Sequence, residues 1–253
     1  MTELVGLLFD VDGTLADTER DGHRVAFNKA FQEAGLVWDW TEAVYGELLT
    51  VTGGKERMHH YMSKYLDDFQ APEDLDGFVA ELHKSKTAYY TQLLAEGAIP
   101  LRSGVQRLLL EARQAGLRLG IATTTTPENV DALLLNMLGS NAAGWFEVIA
   151  AGDIVPKKKP APDIYHYAMD EMGLTPDQCI AFEDSENGIL SAHAAGLKTI
   201  ITVNGYTRDQ NFSDAVLVLD QMGEPDLPFE VLRGDAGQHT YLDMALIKQL
   251  HKS

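Results

Sequence analysis

Apolar residues run unbroken through Leu4-Val5-Gly6-Leu7-Leu8-Phe9 and stop at Asp10-Val11-Asp12-Gly13-Thr14. A short apolar stretch without polar alternation predicts a strand buried on both faces, as in a parallel sheet. The polar stretch after it is rich in turn formers. From Glu19 to Glu96 the spacing becomes helical: Val25, Ala26, Phe27, Ala30 and Phe31, then Leu75, Phe78, Val79 and Leu82, then Tyr89, Tyr90, Leu93 and Leu94. No strand-like run interrupts this block. It predicts an all-helical insertion about the size of a small bundle.

From Ala98 onward helical patterns and buried strands alternate. A helix over Val105–Ala115 precedes the strand Leu117–Ala122, and one beginning near Pro127 precedes Phe146–Ala150. A helix over Asp163–Met172 precedes Gln178–Phe182, one over Glu186–Ala195 precedes Lys198–Val203, and Ala215–Leu219 is a last short strand. Repeated βα units predict an α/β fold, a doubly wound parallel sheet with helices on both faces. The expected domains are residues 1–18 with 98–253 as the α/β core and 19–97 as the helical insertion. The chain crosses between them near Asp17–Arg20 and Glu96–Ser103, a natural hinge. The tail after Gly223 is hard to read beyond a terminal helix near Tyr241–Leu250.

Composition narrows the class. The chain has 253 residues, 45% of them hydrophobic, enough for a packed core. Thirty-eight acidic residues against 20 Lys and Arg give a net charge of −18. Such a field repels nucleic acid and anionic lipid, so neither is expected as a partner. The single cysteine, Cys179, cannot form an internal disulfide and reads as an inert core residue. No membrane span or signal peptide is legible, and a cytoplasmic monomer is expected.

In open parallel sheets, ligands bind beyond the carboxyl ends of the strands. Asp10 and Asp12 follow the first predicted strand, and Thr123 to Thr126 follow the second. Lys157, Lys158 and Lys159 lie in the loop after the third, and Glu183 and Asp184 follow the fourth. Converging carboxylates repel and call for a cation between them. An all-oxygen donor set selects a hard divalent ion such as Mg²⁺. A threonine and a lysine beside it suit phosphate oxygens, so the set reads as metal-assisted phosphoryl transfer. In Asp-Val-Asp, one carboxylate would attack phosphorus to form an aspartyl-phosphate. The other would protonate the leaving oxygen and then deprotonate water. Gly13, just after them, permits the tight turn that brings backbone N–H groups to the phosphate.

Phe9-Asp10-Val11-Asp12-Gly13-Thr14-Leu15 resembles the first motif of the haloacid-dehalogenase superfamily. Thr123, Lys159 in Lys-Pro-Ala-Pro-Asp-Ile-Tyr, and Glu183-Asp184-Ser185-Glu186-Asn187-Gly188 are similar to its later motifs, in order. The resemblance implies Asp10 as nucleophile, Asp12 as acid/base, and Thr123 and Lys159 as the groups holding the phosphoryl. It implies Mg²⁺ on Asp10, the Asp12 carbonyl and Asp184, with Glu183 beside or on the metal. A helical block directly after the first motif resembles the subgroup with a helical cap, which includes β-phosphoglucomutase. Residues 16–24 and Thr52-Gly53-Gly54-Lys55-Glu56-Arg57 resemble cap segments of CbbY-type phosphatases. Those hydrolyse xylulose 1,5-bisphosphate, a misfire product that inhibits Rubisco. The resemblance implies that Lys55, Arg57 and Lys86 read the far phosphate and that Asp17 and Tyr45 touch the sugar. Thr52, Gly53, Gly54 and Thr124 are further expected substrate contacts. A phosphosugar mutase shares the core chemistry and is the alternative. A catalytically silent binding or regulatory protein on the same fold is the other.

Other features read as ordinary structure. Thr125 or Thr126 suits the helix N-cap before Pro127. Lys157 and Lys158 read as surface charge. Thr52-Gly53-Gly54-Lys55 is not a P-loop, because Glu56 follows where Ser or Thr is required. His23 is either a base or, by preference, a packing residue. His59-His60 lacks a third ligand at metal spacing and reads as surface.

Overall fold

A computed structural model describes residues 2–66, 70 and 72–253. Its seven-stranded sheet has the order β3-β2-β1-β4-β5-β6-β7. The strands are β1 (Gly6–Phe9), β2 (Arg118–Ala122), β3 (Phe146–Ala150), β4 (Cys179–Glu183), β5 (Lys198–Thr202), β6 (Leu217–Leu219) and β7 (Val231–Gly234). Every neighbouring pair is parallel except β6 and β7. The expected α/β class holds, with the antiparallel edge strand β7 as an addition. The sequence does not announce β7, because two of its four residues are Arg and Gly and most of it faces solvent.

The helices are α1 (Arg24–Glu33), α2 (Glu42–Leu48), α3 (Gly54–Tyr65), α4 (Leu75–Ala95), α5 (Val105–Gln114), α6 (Pro127–Leu138), α7 (Asp163–Met172), α8 (Glu186–Ala194) and α9 (Met244–Lys252). A one-turn π-helix, Glu19–His23, leads into α1. Side-chain oxygens of Thr41, Asp74, Ser185 and Asp243 accept backbone N–H groups at the starts of α2, α4, α8 and α9. At α6, Thr126 takes the N-cap position before Pro127 without a capping hydrogen bond, its buried hydroxyl unpaired among the described residues.

The chain runs outward from β1 through β2 to β3, then returns to place β4 on the other side of β1. That reversal is the sheet's switch point, where a crevice opens between β1 and β4. Phe9 and Phe182 stack across it at 4.5 Å, directly in register. Their rings brace the strand ends that carry the polar residues.

Helices α1 to α4 enclose an aromatic cluster of their own, with Trp38, Trp40, Phe27, Phe31, Tyr45 and Tyr61 at its centre. Their lower ends share the main core through Ala26, Tyr90, Leu93 and Leu94. Ala16 and Leu101 pair as an isolated antiparallel bridge where the two connecting segments run side by side. Arg102 follows that bridge. Its guanidinium donates to the carbonyls of Gly13, Thr202, Val203 and Asp220, tying the loop after β1 to the ends of β5 and β6. Among the described residues no helix is long and apolar enough to cross a membrane.

Candidate active site

The switch point gathers the polar ends of four strands. Lys159 Nζ donates to Asp10 Oδ1 at 2.7 Å, Glu183 Oε1 at 2.6 Å and the Ala122 carbonyl at 2.9 Å. Tyr165 donates to the same Glu183 oxygen at 2.6 Å. All four side chains are buried. Lys159 is held protonated, its pKa well above the usual range, because the charges of Asp10 and Glu183 overcome the effect of burial. Burial raises Asp10 to about 7, opposed by Lys159 and reinforced by Glu183. Burial, then Asp10 and Glu183, push Asp184 well above the carboxylate range.

Three buried carboxylates around one ammonium leave a deficit of positive charge. Oxygens of Asp10, Glu183 and Asp184 lie within 4.8 Å of one another. Asn204 Nδ2 holds Asp184 Oδ2 at 2.6 Å. Gly13, at φ +82°, leaves open the space beside them, where a Cβ would collide with Asp184 and with Asn204 Nδ2. A crowded set of hard oxygen donors with such an opening fits a divalent cation such as Mg²⁺.

Asp12 faces the helical region instead. Its Oδ1 accepts from Thr18 Oγ1 at 2.5 Å and meets His23 Nε2 at 2.8 Å. Lys86 Nζ lies 2.8 Å from His23 Nδ1, and the His23 ring stacks on Tyr90 at 4.1 Å. Burial raises Asp12, but the charge and hydrogen bond of His23, the Thr18 hydroxyl and Lys86 outweigh it, so the carboxyl sits well below its ordinary range. Lys86 is 3% exposed, and burial lowers it to about 8 against the pull of Asp12 and Glu19.

Two neighbouring cavities that share lining residues open from these groups. The smaller, about 80 Å³, is lined by Asp10, Asp12, Thr52, Thr123, Thr124 and Asp184 among others. The larger, about 480 Å³, runs along the seam with the helical region past Gly53, Gly54, Lys55, Arg57, Lys86 and Lys158. Glu19 and Arg57 line both. Several bonds close the seam. Lys55 reaches Asp153 at 2.8 Å, and Lys158 meets Glu56 at 2.8 Å and Asp153 at 2.9 Å. Asn187 donates to Thr52 Oγ1 at 3.1 Å, and Tyr206 packs edge-on against Tyr45 at 6.1 Å.

Asp10, Asp12, Thr123, Thr124, Lys159 and Asp184 thus meet at one crevice. Thr52, Gly53, Gly54, Lys55, Arg57 and Lys86 face it from the helical side. Two expected sugar contacts lie elsewhere. Tyr45 is fully buried, its hydroxyl committed to Glu19 and accepting from Arg57 at 2.9 Å, and it lines neither cavity. Asp17 points outward beside Arg102, at 3.4 Å, in a separate depression. Glu183, expected beside the metal, has Oε1 committed to Lys159 and Tyr165. Lys158 is no surface residue, since its side chain is 16% exposed and bridges the seam. His23 packs on Tyr90 and also binds Asp12. Glu19, Asn204 and His83 escaped sequence reasoning. Glu19 and His23 lie in the quoted 16–24 segment, whereas Asn204 and His83 stand in no recognisable motif.

The haloacid dehalogenase-like hydrolase family matches residues 5–196. The CbbY protein of Rhodobacter capsulatus is 49% identical over 213 residues, 84% of this chain and 91% of its own. The CbbY protein of Cupriavidus necator is 43% identical over 251 residues, 97% and 96% of the two chains. A crystal structure of Rhodobacter sphaeroides CbbY in complex with phosphate superposes with a TM-score of 0.81 at 44% identity, covering 86% of this chain and 94% of that one. A β-phosphoglucomutase structure from Clostridium difficile, 21% identical with a TM-score of 0.75 over 98% and 97% of the chains, shares the fold. The buried Asp10–Lys159 pair at the switch point and these near-full-length likenesses agree: the chain belongs to the haloacid dehalogenase-like hydrolases, and within them to the CbbY family.

Proposed function

We propose that this protein is a phosphatase that removes a phosphate from xylulose 1,5-bisphosphate through an aspartyl-phosphate on Asp10. The observation that carries the reading is the pairing of two carboxylates with separate environments. Asp10 is locked to Lys159 at the end of β1, while Asp12, two residues on, is held from the other side by His23 and Thr18. Environments that differ this much separate a nucleophile from an acid/base. An aspartate-to-asparagine variant of Rhodobacter sphaeroides CbbY, 44% identical, has been crystallised in complex with xylulose-1,5-bisphosphate.

An Asp10 carboxylate oxygen attacks phosphorus, and the bond from phosphorus to the sugar oxygen breaks. Lys159 and the Thr123 hydroxyl hold the equatorial oxygens of the transferring group. Asp12 passes a proton to the departing sugar oxygen. Because Asp12 sits low in its range, that proton is supplied along the chain in which Lys86 donates to His23 Nδ1 and His23 Nε2–H donates to Asp12. Water then attacks the phosphorus of the aspartyl-phosphate, Asp12 accepts its proton, and Asp10 is released. Asp10, the Asp12 carbonyl and Asp184 would hold a Mg²⁺ ion, with Glu183 beside it, and such an ion would neutralise phosphoryl charge. Helices α1 to α4, residues 19–97, act as a cap over the core. Lys55, Arg57 and Lys86 in the larger cavity receive the second phosphate, and Thr52, Gly53, Gly54 and Thr124 line the path between the two.

Turnover of xylulose 1,5-bisphosphate with Mg²⁺ against a panel of sugar mono- and bisphosphates tests the reading. Release of free phosphate, with the bisphosphate preferred, supports it. Equal, slow turnover of the whole panel defeats the substrate assignment. Conversion of a sugar phosphate to its isomer without phosphate release would establish a mutase instead.

A further inference from the structure

The carboxylates at the switch point are not held alike. Asp10 and Glu183 share the Lys159 ammonium, and Glu183 also takes the Tyr165 hydroxyl. Among the described residues, the one hydrogen bond to the Asp184 carboxylate comes from a neutral group, Asn204 Nδ2, at 2.6 Å on Oδ2. That bond leaves Oδ1 to an ion. An amide orients a carboxylate without neutralising it, whereas an ammonium in its place would repel a cation.

The loop after β5 is built to aim that amide. Asn204 Oδ1 accepts from Tyr206 N at 2.9 Å. This Asx turn settles which end of the side chain is oxygen and turns Nδ2 toward Asp184. Thr207 Oγ1 accepts from Asn204 N at 2.9 Å, and Thr207 N donates back to the Asn204 carbonyl at 3.2 Å. Arg102 anchors the preceding carbonyl, that of Val203, at 2.6 Å. Farther along, Gln210 Oε1 accepts from Glu186 N at 2.7 Å, at the start of α8. One loop thus grips the segment Asp184–Glu186 at both ends, by side chain and by backbone.

We propose that Asn204 is a positioning residue: its amide fixes the Asp184 carboxylate so that the other oxygen meets a Mg²⁺ ion, and so sets the affinity of the site for that ion. This rests on the Mg²⁺-dependent phosphatase reading above. The role is exerted through Asp184, so its effect falls on the metal and not on recognition of the sugar.

The test titrates Mg²⁺ into substrate-free wild type, Asn204→Ala and Asn204→Ser by calorimetry, with melting curves to check that each is folded. Serine remakes the turn through its hydroxyl but stops one bond short of Asp184. In both variants the Mg²⁺ dissociation constant rises roughly tenfold or more, the scale for losing a group that orients a metal ligand. With xylulose 1,5-bisphosphate, the Mg²⁺ concentration for half-maximal activity rises in step, kcat recovers at high Mg²⁺, and KM for the sugar is unchanged. Wild-type affinity in both variants overturns the assignment. A loss in Asn204→Ala that Asn204→Ser restores also overturns it, and makes Asn204 a turn residue only. Wild type that takes up no Mg²⁺ overturns the metal reading as well.

Discussion

Lys86 Nζ lies 2.8 Å from His23 Nδ1, and His23 Nε2 lies 2.8 Å from Asp12 Oδ1. Two buried groups, from α4 and the π turn, and the half-buried Asp12 in the loop after β1 thus form one hydrogen-bonded line ending at the proposed acid/base. His23→Leu breaks it. Loss of a positioned proton donor chain costs roughly 100-fold in kcat with a smaller change in KM. Steady-state kinetics on the preferred sugar phosphate checks this, and an unaltered kcat would remove His23 from the proton path.

The same line carries a pH-dependent stability. Burial holds Lys86 at about 8, below its ordinary 10.5. The unfolded chain therefore binds more protons between those values, and folding stability rises with pH across that window. Below pH 8 the full cost of the buried charge is present. Lys86→Met relieves it, by up to about 3 kcal/mol at pH 7. Thermal melts should show the variant more stable than wild type at pH 7, with the gain shrinking toward pH 10.5. A gain independent of pH would contradict the linkage.

Lys159 and Asp10 respond in opposite ways to mutation. Lys159→Met strips the ammonium from between Asp10 and Glu183, and breaking a buried pair of this kind costs ~3–5 kcal/mol. Asp10→Asn removes one of three crowded carboxylates, so it folds with an unchanged or higher melting temperature while phosphatase activity is lost. Melting curves without added Mg²⁺, alongside activity assays, compare the two.

Gly13 stands at φ +82° with Asp184 and Asn204 against the space its missing Cβ would fill. Gly13→Ala adds ~1–2 kcal/mol of backbone strain and drives Asp184 from its place. The Mg²⁺ concentration for half-maximal activity should rise severalfold, and chelation with EDTA should abolish wild-type activity until Mg²⁺ is restored. A titration of activity against Mg²⁺ that leaves Gly13→Ala superimposed on wild type would count against Asp184 as a ligand.

Much of this arrangement was legible in the chain because it follows local rules. An apolar run marks a parallel strand and a 3.6-residue apolar spacing marks a helix, so strand β3 at Phe146–Ala150 and helix α7 at Asp163–Met172 fall where their patterns place them. Strand β1 is bounded at Gly6 although its apolar run begins at Leu4, and Val5 already hydrogen-bonds Gln178 on one side and Arg118 on the other. The motif residues follow strand ends, and parallel topology brings such ends together. What depends on tertiary closure left no trace. Lys158 reads as part of a charge run until Glu56 and Asp153 face it. The resemblance sets Tyr45 against the sugar, yet Arg57 and Glu19 draw its hydroxyl into the wall. Strand β7, exposed and paired at one edge only, has no apolar signature to find.

The central claim is that Asp10 itself takes the phosphoryl group. Rapid acid quench of the enzyme during turnover of xylulose 1,5-bisphosphate, followed by proteolysis and mass spectrometry, reads it directly. One added HPO₃ on Asp10, absent in Asp10→Asn, is the predicted result. Phosphate on another residue, or turnover by Asp10→Asn at the wild-type rate, would contradict it.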